Sequence, residues 1–394
     1  MQPLIRELTD ADRDANHRLG AEAFGYSPDR QPSALPPVGS TVLGAFDEDH
    51  LVAKIRAHDY LTHLPGGRTL PTVGIASVAV QAEARGRGLL TPLFAAGFDR
   101  ARQLGQPIST LYPTAAGIYR RFGYEVVGSL EARELSVSAL ANVKEPQGIS
   151  LRRATVADLA ALRELYAAWA AEKFGPLTRT GPALPIWSDD YFTGEATVTL
   201  AVDPADRVVG CVRWTRGSGY DPASSVIDVE DLIALSADAA RALWRLLGSF
   251  GSVSGRVEVE LPAGDIALGV LPSEPTPPTT EHRYMLALLD VPAALGARPG
   301  VPGLTAQLPF TVTGGFAEGV DGSYVLEASD SELRCDRSAS EAGPTFHARG
   351  LAALYGGAQR CADLRAGGLL GGPTDQDPVW DALFNVPTQI RDYF

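Results

Sequence analysis

Eight residues near the start of the chain, Ile5-Arg6-Glu7-Leu8-Thr9-Asp10-Ala11-Asp12, return as Leu151-Arg152-Arg153-Ala154-Thr155-Val156-Ala157-Asp158, an offset of 146 positions. Each copy reads as a short strand, a Thr helix cap, an acidic first turn and an amphipathic helix. The carboxylates of Asp12 and Asp158 occupy the capping-box position, where they meet free amides and the positive end of the helix. One domain length separates the copies, so duplication explains the match better than chance. A chain built this way folds as tandem α/β units. The first copy continues with strands over Thr41–Phe46, Leu51–His58 and Val73–Val80. A helix around Leu90–Leu104, strand Ile108–Tyr112, a short helix around Gly117–Arg121 and strand Tyr124–Gly128 complete it. The stretch Ala139–Gly148 reads as a linker. The second copy shows strands near Ala196–Val202, Arg207–Trp214 and Val226–Leu235 and a helix over Ala237–Phe250, with a Pro-rich surface loop at Pro272–Pro278. A Pro- and Gly-rich seam, Val291–Gly303, leads to strand-like text at Leu308–Thr313 and Gly322–Ala328. Helical text follows at Ala348–Tyr355, Ala358–Arg365 and Pro378–Phe384. Three domains are expected: 1–138, 149–290 and a small α+β unit over 303–394.

Composition narrows the partners. The 394 residues carry 47 acidic against 34 basic side chains, a net charge of −13, and no Lys/Arg block. That argues against nucleic acid or an anionic membrane surface and favours cationic ligands. Cys211, Cys335 and Cys361 form no disulfide framework or CxxC pair, and the six histidines show no metal-ligand spacing, so no metal is expected. With no signal-like start or membrane-length apolar run, the expected location is cytoplasmic.

The motif that carries chemistry is Val78-Ala79-Val80-Gln81-Ala82-Glu83-Ala84-Arg85-Gly86-Arg87-Gly88-Leu89-Leu90, with an apolar helix behind it. A strand delivers the chain to a Gly-bearing turn and a helix starts there. Free amides and the helix dipole make such a turn a cradle for pyrophosphate. Gly86 and Gly88 keep Cβ atoms out of the way, and Arg85 and Arg87 add charge-assisted hydrogen bonds. Neither GxGxxG nor GxxxxGK spacing is present. The alternative for this text is a solvated basic turn. The second copy has Ser236-Ala237-Asp238-Ala239-Ala240-Arg241 at the corresponding place, and Asp238 would repel phosphate, so only the first domain is expected to hold such a ligand.

Arg85-Gly86-Arg87-Gly88-Leu89-Leu90 resembles the Q/R-x-x-G-x-G/A signature of GNAT-type N-acetyltransferases. Its Leu-Leu ending, together with Gly117-Ile118-Tyr119-Arg120-Arg121-Phe122-Gly123-Tyr124, is similar to the enhanced intracellular survival (Eis) family of aminoglycoside acetyltransferases, as is the three-part layout. The resemblance implies two tandem GNAT-like mixed-sheet domains and a sterol-carrier-like C-terminal domain. It implies acetyl-CoA as cosubstrate, held by Val78, Val80, Arg85, Gly86, Arg87, Gly88, Leu89 and Leu90. Tyr119 would be the general acid for the departing thiolate, and the terminal carboxylate on Phe394 the base. A homo-hexamer and an antibiotic-resistance role are likewise implied. Read as residues alone, Tyr119 is equally a core aromatic beside Phe122 and Tyr124, and Phe394 an ordinary terminus, although the chain ends on an apolar pair, as a docked end does. Phe24 and Trp187 stand either in an acceptor pocket between domains or in the core. The acidic run Asp228-Val229-Glu230-Asp231 either receives ammonium groups or is a solvated strand. The expected reaction is acetyl transfer to a small polycationic amine. The alternatives are transfer to another amine (a protein lysine or a biosynthetic intermediate), a lipid carrier and a CoA sensor.

Overall fold

A computed structural model describes residues 3–27, 29–272, 277–340 and 342–394. Residues 273–276 of the expected Pro-rich loop lie outside them. Both copies of the repeated octapeptide form the same device. Asp12 Oδ2 accepts from the amide and the hydroxyl of Thr9, and the two carboxylate oxygens take a bidentate pair from Arg6 at 2.7 and 2.8 Å; Asp158 does the same with Thr155 and Arg152. In each copy a 3-10 turn then feeds a helix, Arg13–Phe24 or Leu159–Ala170.

The strands are β1 (Leu4–Glu7), β2 (Ser40–Asp47), β3 (His50–Leu64), β4 (Arg68–Val80), β5 (Ile108–Leu111), β6 (Glu125–Ser136), β7 (Ser150–Arg153), β8 (Thr197–Val202), β9 (Val208–Arg216), β10 (Val226–Ala234), β11 (Arg256–Pro262) and β12 (Thr280–Leu288). They form one twelve-stranded mixed sheet in the order β1-β2-β3-β4-β5-β12-β6-β11-β10-β9-β8-β7. Sheet and sequence therefore disagree about where the first unit ends. β12, from the end of the second copy, lies between β5 and β6, pairing Met285–Leu288 with Ile108–Leu111 on one side and Thr280–Leu286 with Glu125–Ala132 on the other. β6 runs eight residues beyond the expected Gly128 and pairs Leu130–Ser136 with β11. The expected linker begins instead as a helix, Val137–Ala141.

The third unit is a five-stranded sheet of β13 (Ala306–Thr313), β14 (Gly322–Ser329), β15 (Glu332–Ser338), β16 (Thr345–His347) and β17 (Leu370–Gly371), in the order β15-β14-β13-β16-β17. The seam before it is not an open linker. Val291–Ala297 is a helix capped by Asp290, and Val291, Ala294 and Leu295 are buried in the same core as Phe94 and Phe122. The helix Ala348–Tyr355 packs on β6 and β12, and Arg349 reaches Glu125 on β6 at 2.6 Å. First and third units thus share one apolar core. Among the described residues no helix is long and apolar enough to cross a membrane.

Candidate active site

β3 and β4 form a long hairpin whose register slips once. Lys54 opposes Ala79, but Arg56 opposes Ala76, so Ser77 and Val78 together face Ile55. This is a β-bulge, and Ser77 takes a left-handed φ of +50°. On its other edge β4 pairs with β5 only from Thr72 to Gly74. Beyond that the two parallel strands part, which leaves the backbone of Ala76–Val80 facing open space. The turn after β4 has Gly86 and Gly88 at φ +79° and +76°, and the helix Leu90–Gln103 starts directly behind them. A Cβ at either glycine would meet nothing within 4 Å, so the space in front of these amides is clear.

These features line one cavity of about 650 Å³, bounded by Val78, Ala79, Val80, Arg85, Gly86, Gly88, Leu89 and Leu90 on one side and by Thr114, Gly117, Ile118, Tyr119 and Arg121 on the other. Its size and its mixed apolar and basic wall suit an elongated cofactor with a phosphate end. Arg87 is turned away and pairs with Asp47 at 3.0 Å. Thr114 lies outside the sequence motifs, and Ile118 and Arg121 belong to the Gly117–Tyr124 motif without having been given a binding role there; Arg121 is the second arginine of the Tyr119-Arg120-Arg121 run. Tyr119 is 5 % exposed, with its ring 6.0 Å from Phe94 and 6.3 Å from Tyr124. It is a core aromatic and a cavity wall at once. Burial raises its pKa, against a hydrogen bond with Thr114, so its hydroxyl stays protonated at neutral pH.

The last residue described, Phe394, docks against the β3–β4 hairpin and Tyr112. The Phe394 ring lies 5.0 Å from Tyr60, 5.4 Å from Tyr112 and 6.0 Å from His58. A Cβ on Gly74 would come within 2.9 Å of it, so the slot exists because residue 74 has no side chain. The residues before it are held by buried charge. Arg179 bonds Asp392 at 2.8 Å and Asp231 at 2.5 Å, Arg391 bonds Asp231 at 3.3 Å and Asp265 at 2.5 Å, and Tyr112 Oη donates to the Asp392 carbonyl at 2.8 Å.

Phe24 is 43 % exposed at the rim of the 650 Å³ cavity. Trp187 is buried among Tyr166, Tyr191 and the Arg179 guanidinium, and its neighbours Ile186 and Ser188, not its ring, line a separate cavity of about 410 Å³ against the tail. Asp228 and Glu230 face a cavity of about 570 Å³ on β6, β10 and β11, whereas Asp231 is consumed by Arg179 and Arg391. In the second unit Ser236 caps its helix and Asp238 pairs with Arg241, so no comparable cradle forms there. Among the described residues no group of three His, Cys, Asp or Glu could hold a metal.

Residues 4–127 match an acetyltransferase (GNAT) domain family, 175–288 a second GNAT domain family, and 291–389 a sterol carrier protein domain family. An uncharacterized N-acetyltransferase from Streptomyces avermitilis is 28% identical over 352 residues, 83% of this chain and 84% of that one. The N-acetyltransferase Eis of Mycobacterium tuberculosis is 28% identical over 350 residues, covering 84% and 83%. Among solved structures, a GCN5-related N-acetyltransferase from Kribbella flavida superposes with a TM-score of 0.81 at 29% identity over 100% of this chain and 99% of that one. Eis1 from Mycobacterium abscessus gives 0.76 at 22% identity over 99% and 100%, a likeness of fold.

Proposed function

This chain is a homologue of the Eis N-acetyltransferases, an acetyl-CoA-dependent acetyltransferase with two GNAT domains and a sterol-carrier-like domain, and from that premise we propose that its first domain acetylates the amine of a small molecule by direct transfer. The observation that carries this reading is Tyr119, buried and protonated, in the wall of the cavity that also holds the Gly86–Gly88 turn. Arg85, Arg121 and the free amides of the turn would hold the pyrophosphate. The open edge of Val78–Val80 would hold the pantetheine, with the Val80 amide toward the thioester oxygen. Acetyl-CoA supplies an acyl group already activated as a thioester. What remains for the protein is to orient the amine and move two protons. The carboxylate on Phe394 accepts the amine proton, and Tyr119 Oη donates to the departing thiolate.

The aminoglycoside acceptor that the resemblance implies has the net charge of −13 and the acidic 570 Å³ cavity in its favour. Against it, the cavity beside the bulge is basic, as described below. The carrier alternative has the sterol carrier protein domain match in its favour; against it, Phe310, Tyr324, Phe346 and Trp380 are buried on one another inside the third unit.

The test is thiol release from acetyl-CoA against a panel of amines, with mass spectrometry of the products. Amine-dependent release is the expected result. Acetyl-CoA binding with no amine acetylated would overturn the enzymatic reading and leave a sensor. Adding a few residues after Phe394 should suppress turnover, and an unimpaired extended protein would discard the terminal base.

A further inference from the structure

The bulge at Ser77–Val78 separates two cavities. Val78, Ala79 and Val80 line the large one, while Ser77 lines a second of about 100 Å³, closed by the helix Arg13–Phe24, the loop after it and β3. A molecule in the second cavity therefore meets β4 at the point where the first one's acyl end would lie. The second cavity is positively charged in a chain that is strongly negative. Lys54, Arg56 and Arg30 line it with His17, and none of the lining residues is Asp or Glu.

Among the described residues the two inner cations have no counterion. Lys54 is 3 % exposed, and its ammonium donates to Asn16 through the carbonyl at 2.6 Å and Oδ1 at 2.8 Å, which uses two of its three donors. The half-buried Arg56 guanidinium makes its hydrogen bonds to a single hydroxyl, Ser40 Oγ, at 2.9 and 3.0 Å. Among the described residues neither has a carboxylate within salt-bridge reach. The buried Arg179 and Arg391, by contrast, are neutralised by Asp231, Asp265 and Asp392. Burial and the charge of Arg56 lower the Lys54 pKa to about 8, and burial lowers that of Arg56. Like charges held together out of water, with donors unused, call for an anion. The space is small, three or four waters at roughly 30 Å³ each, enough for a carboxylate. Lys54, Arg56 and His58 are alternate residues of β3 and share a face, and His58 touches the ring of Phe394. An anion on Arg56 would thus place the rest of its molecule between Phe394 and the bulge.

We propose that the acceptor is an amine that also carries a carboxylate, an amino-acid-sized zwitterion whose anionic end binds Arg56 and Lys54 while its amine faces the acyl site. This rests on the acetyltransferase reading of the first domain and replaces the polycationic acceptor with a zwitterionic one. The experiment compares the free amino acids with their amides, with 2-aminoethyl phosphate, and with a polyamine and an aminoglycoside. It measures thiol release, and in parallel calorimetric binding of the same compounds, which needs no turnover. Acids should exceed their amides by about tenfold or more in kcat/KM or in affinity, the scale of one lost charge-assisted hydrogen bond. Arg56→Met should erase that preference while leaving acetyl-CoA affinity unchanged, which also shows that the variant is folded, and Arg56→Lys should restore part of it. Acids and amides used or bound alike, polycations preferred, or an unaltered preference in Arg56→Met would each overturn the proposal. Preference for the phosphate over every carboxylate would overturn the choice of carboxylate. If the acids bind but nothing is acetylated, the anion site stands and the acetyltransferase reading fails. If polycations are acetylated and acids are not, the reverse holds.

Discussion

In the proposed mechanism Tyr119 would do two jobs that usually belong to different residues. Its ring packs tilted on Phe94 and edge-on to Tyr124, and the residue lines the cavity. The two are separable by experiment, because phenylalanine keeps the ring and removes the proton. Tyr119→Phe should lower acetyl transfer at least about tenfold, within what the loss of a positioned general acid worth ~10²–10⁴-fold would allow, with acetyl-CoA affinity near wild type. Equal rates in the two proteins, measured by thiol release, would remove the hydroxyl from the mechanism. The raised pKa also fixes the pH behaviour: a tyrosine that stays protonated adds no ionisation to the rate profile near neutrality.

At the scale of elements, the repeated strand starts show how a short sequence pattern becomes geometry. Thr9 with Asp12 and Thr155 with Asp158 were readable as caps. Their arginine partners were not, because Arg6 and Arg152 reach across a turn that the linear text does not draw. Those side-chain bonds hold both carboxyls at about 2, below the ordinary 3.8. The folded pKa is depressed, so this stabilisation is fully present above about pH 4 and is lost as pH falls through about 2. Replacing Arg6 and Arg152 with Ala should flatten that stretch of the acid unfolding curve followed by circular dichroism; an unchanged curve would deny the two pairs any part in it. The cradle turn and most strands of the first unit were similarly legible, since they depend on local alternation and glycine. The bulge at Ser77 was not, for it is defined only against β3. β11 and β12 were missed for the same reason: Thr280–Leu288 becomes a strand through partners more than 140 positions away, and alternation alone did not reveal it. Nor does a sequence say that the residues flanking the cavity bulge, Lys54 and Arg56, will lack carboxylates.

At the scale of the molecule, the first GNAT domain is not a contiguous piece of chain. β5 and β6 are not paired; β12 lies between them, and the third unit's helix Ala348–Tyr355 covers the join. A fragment of residues 1–138 would expose two unpaired strand edges and half of a shared core, so it should be insoluble or lack cooperative unfolding. A soluble fragment with a sharp thermal transition would show that β12 is dispensable. The same interlock positions the chain's end. Asp231 sits on β10 of the second unit, yet through Arg179 and Arg391 it fixes the segment that seats Phe394 in the first. Removing that carboxylate strands two buried guanidiniums with one partner each. Asp231→Ala should therefore lower the unfolding free energy by about 3–5 kcal/mol in denaturant titrations. It should also reduce turnover far more than acetyl-CoA affinity, because the cradle lies on β4 and the helix behind it, outside the network, whereas Phe394 hangs from it. If affinity and turnover fell together, the tail would be supporting the cofactor cavity rather than delivering a base, and the division of labour between the units would have to be redrawn around the fold instead of the chemistry.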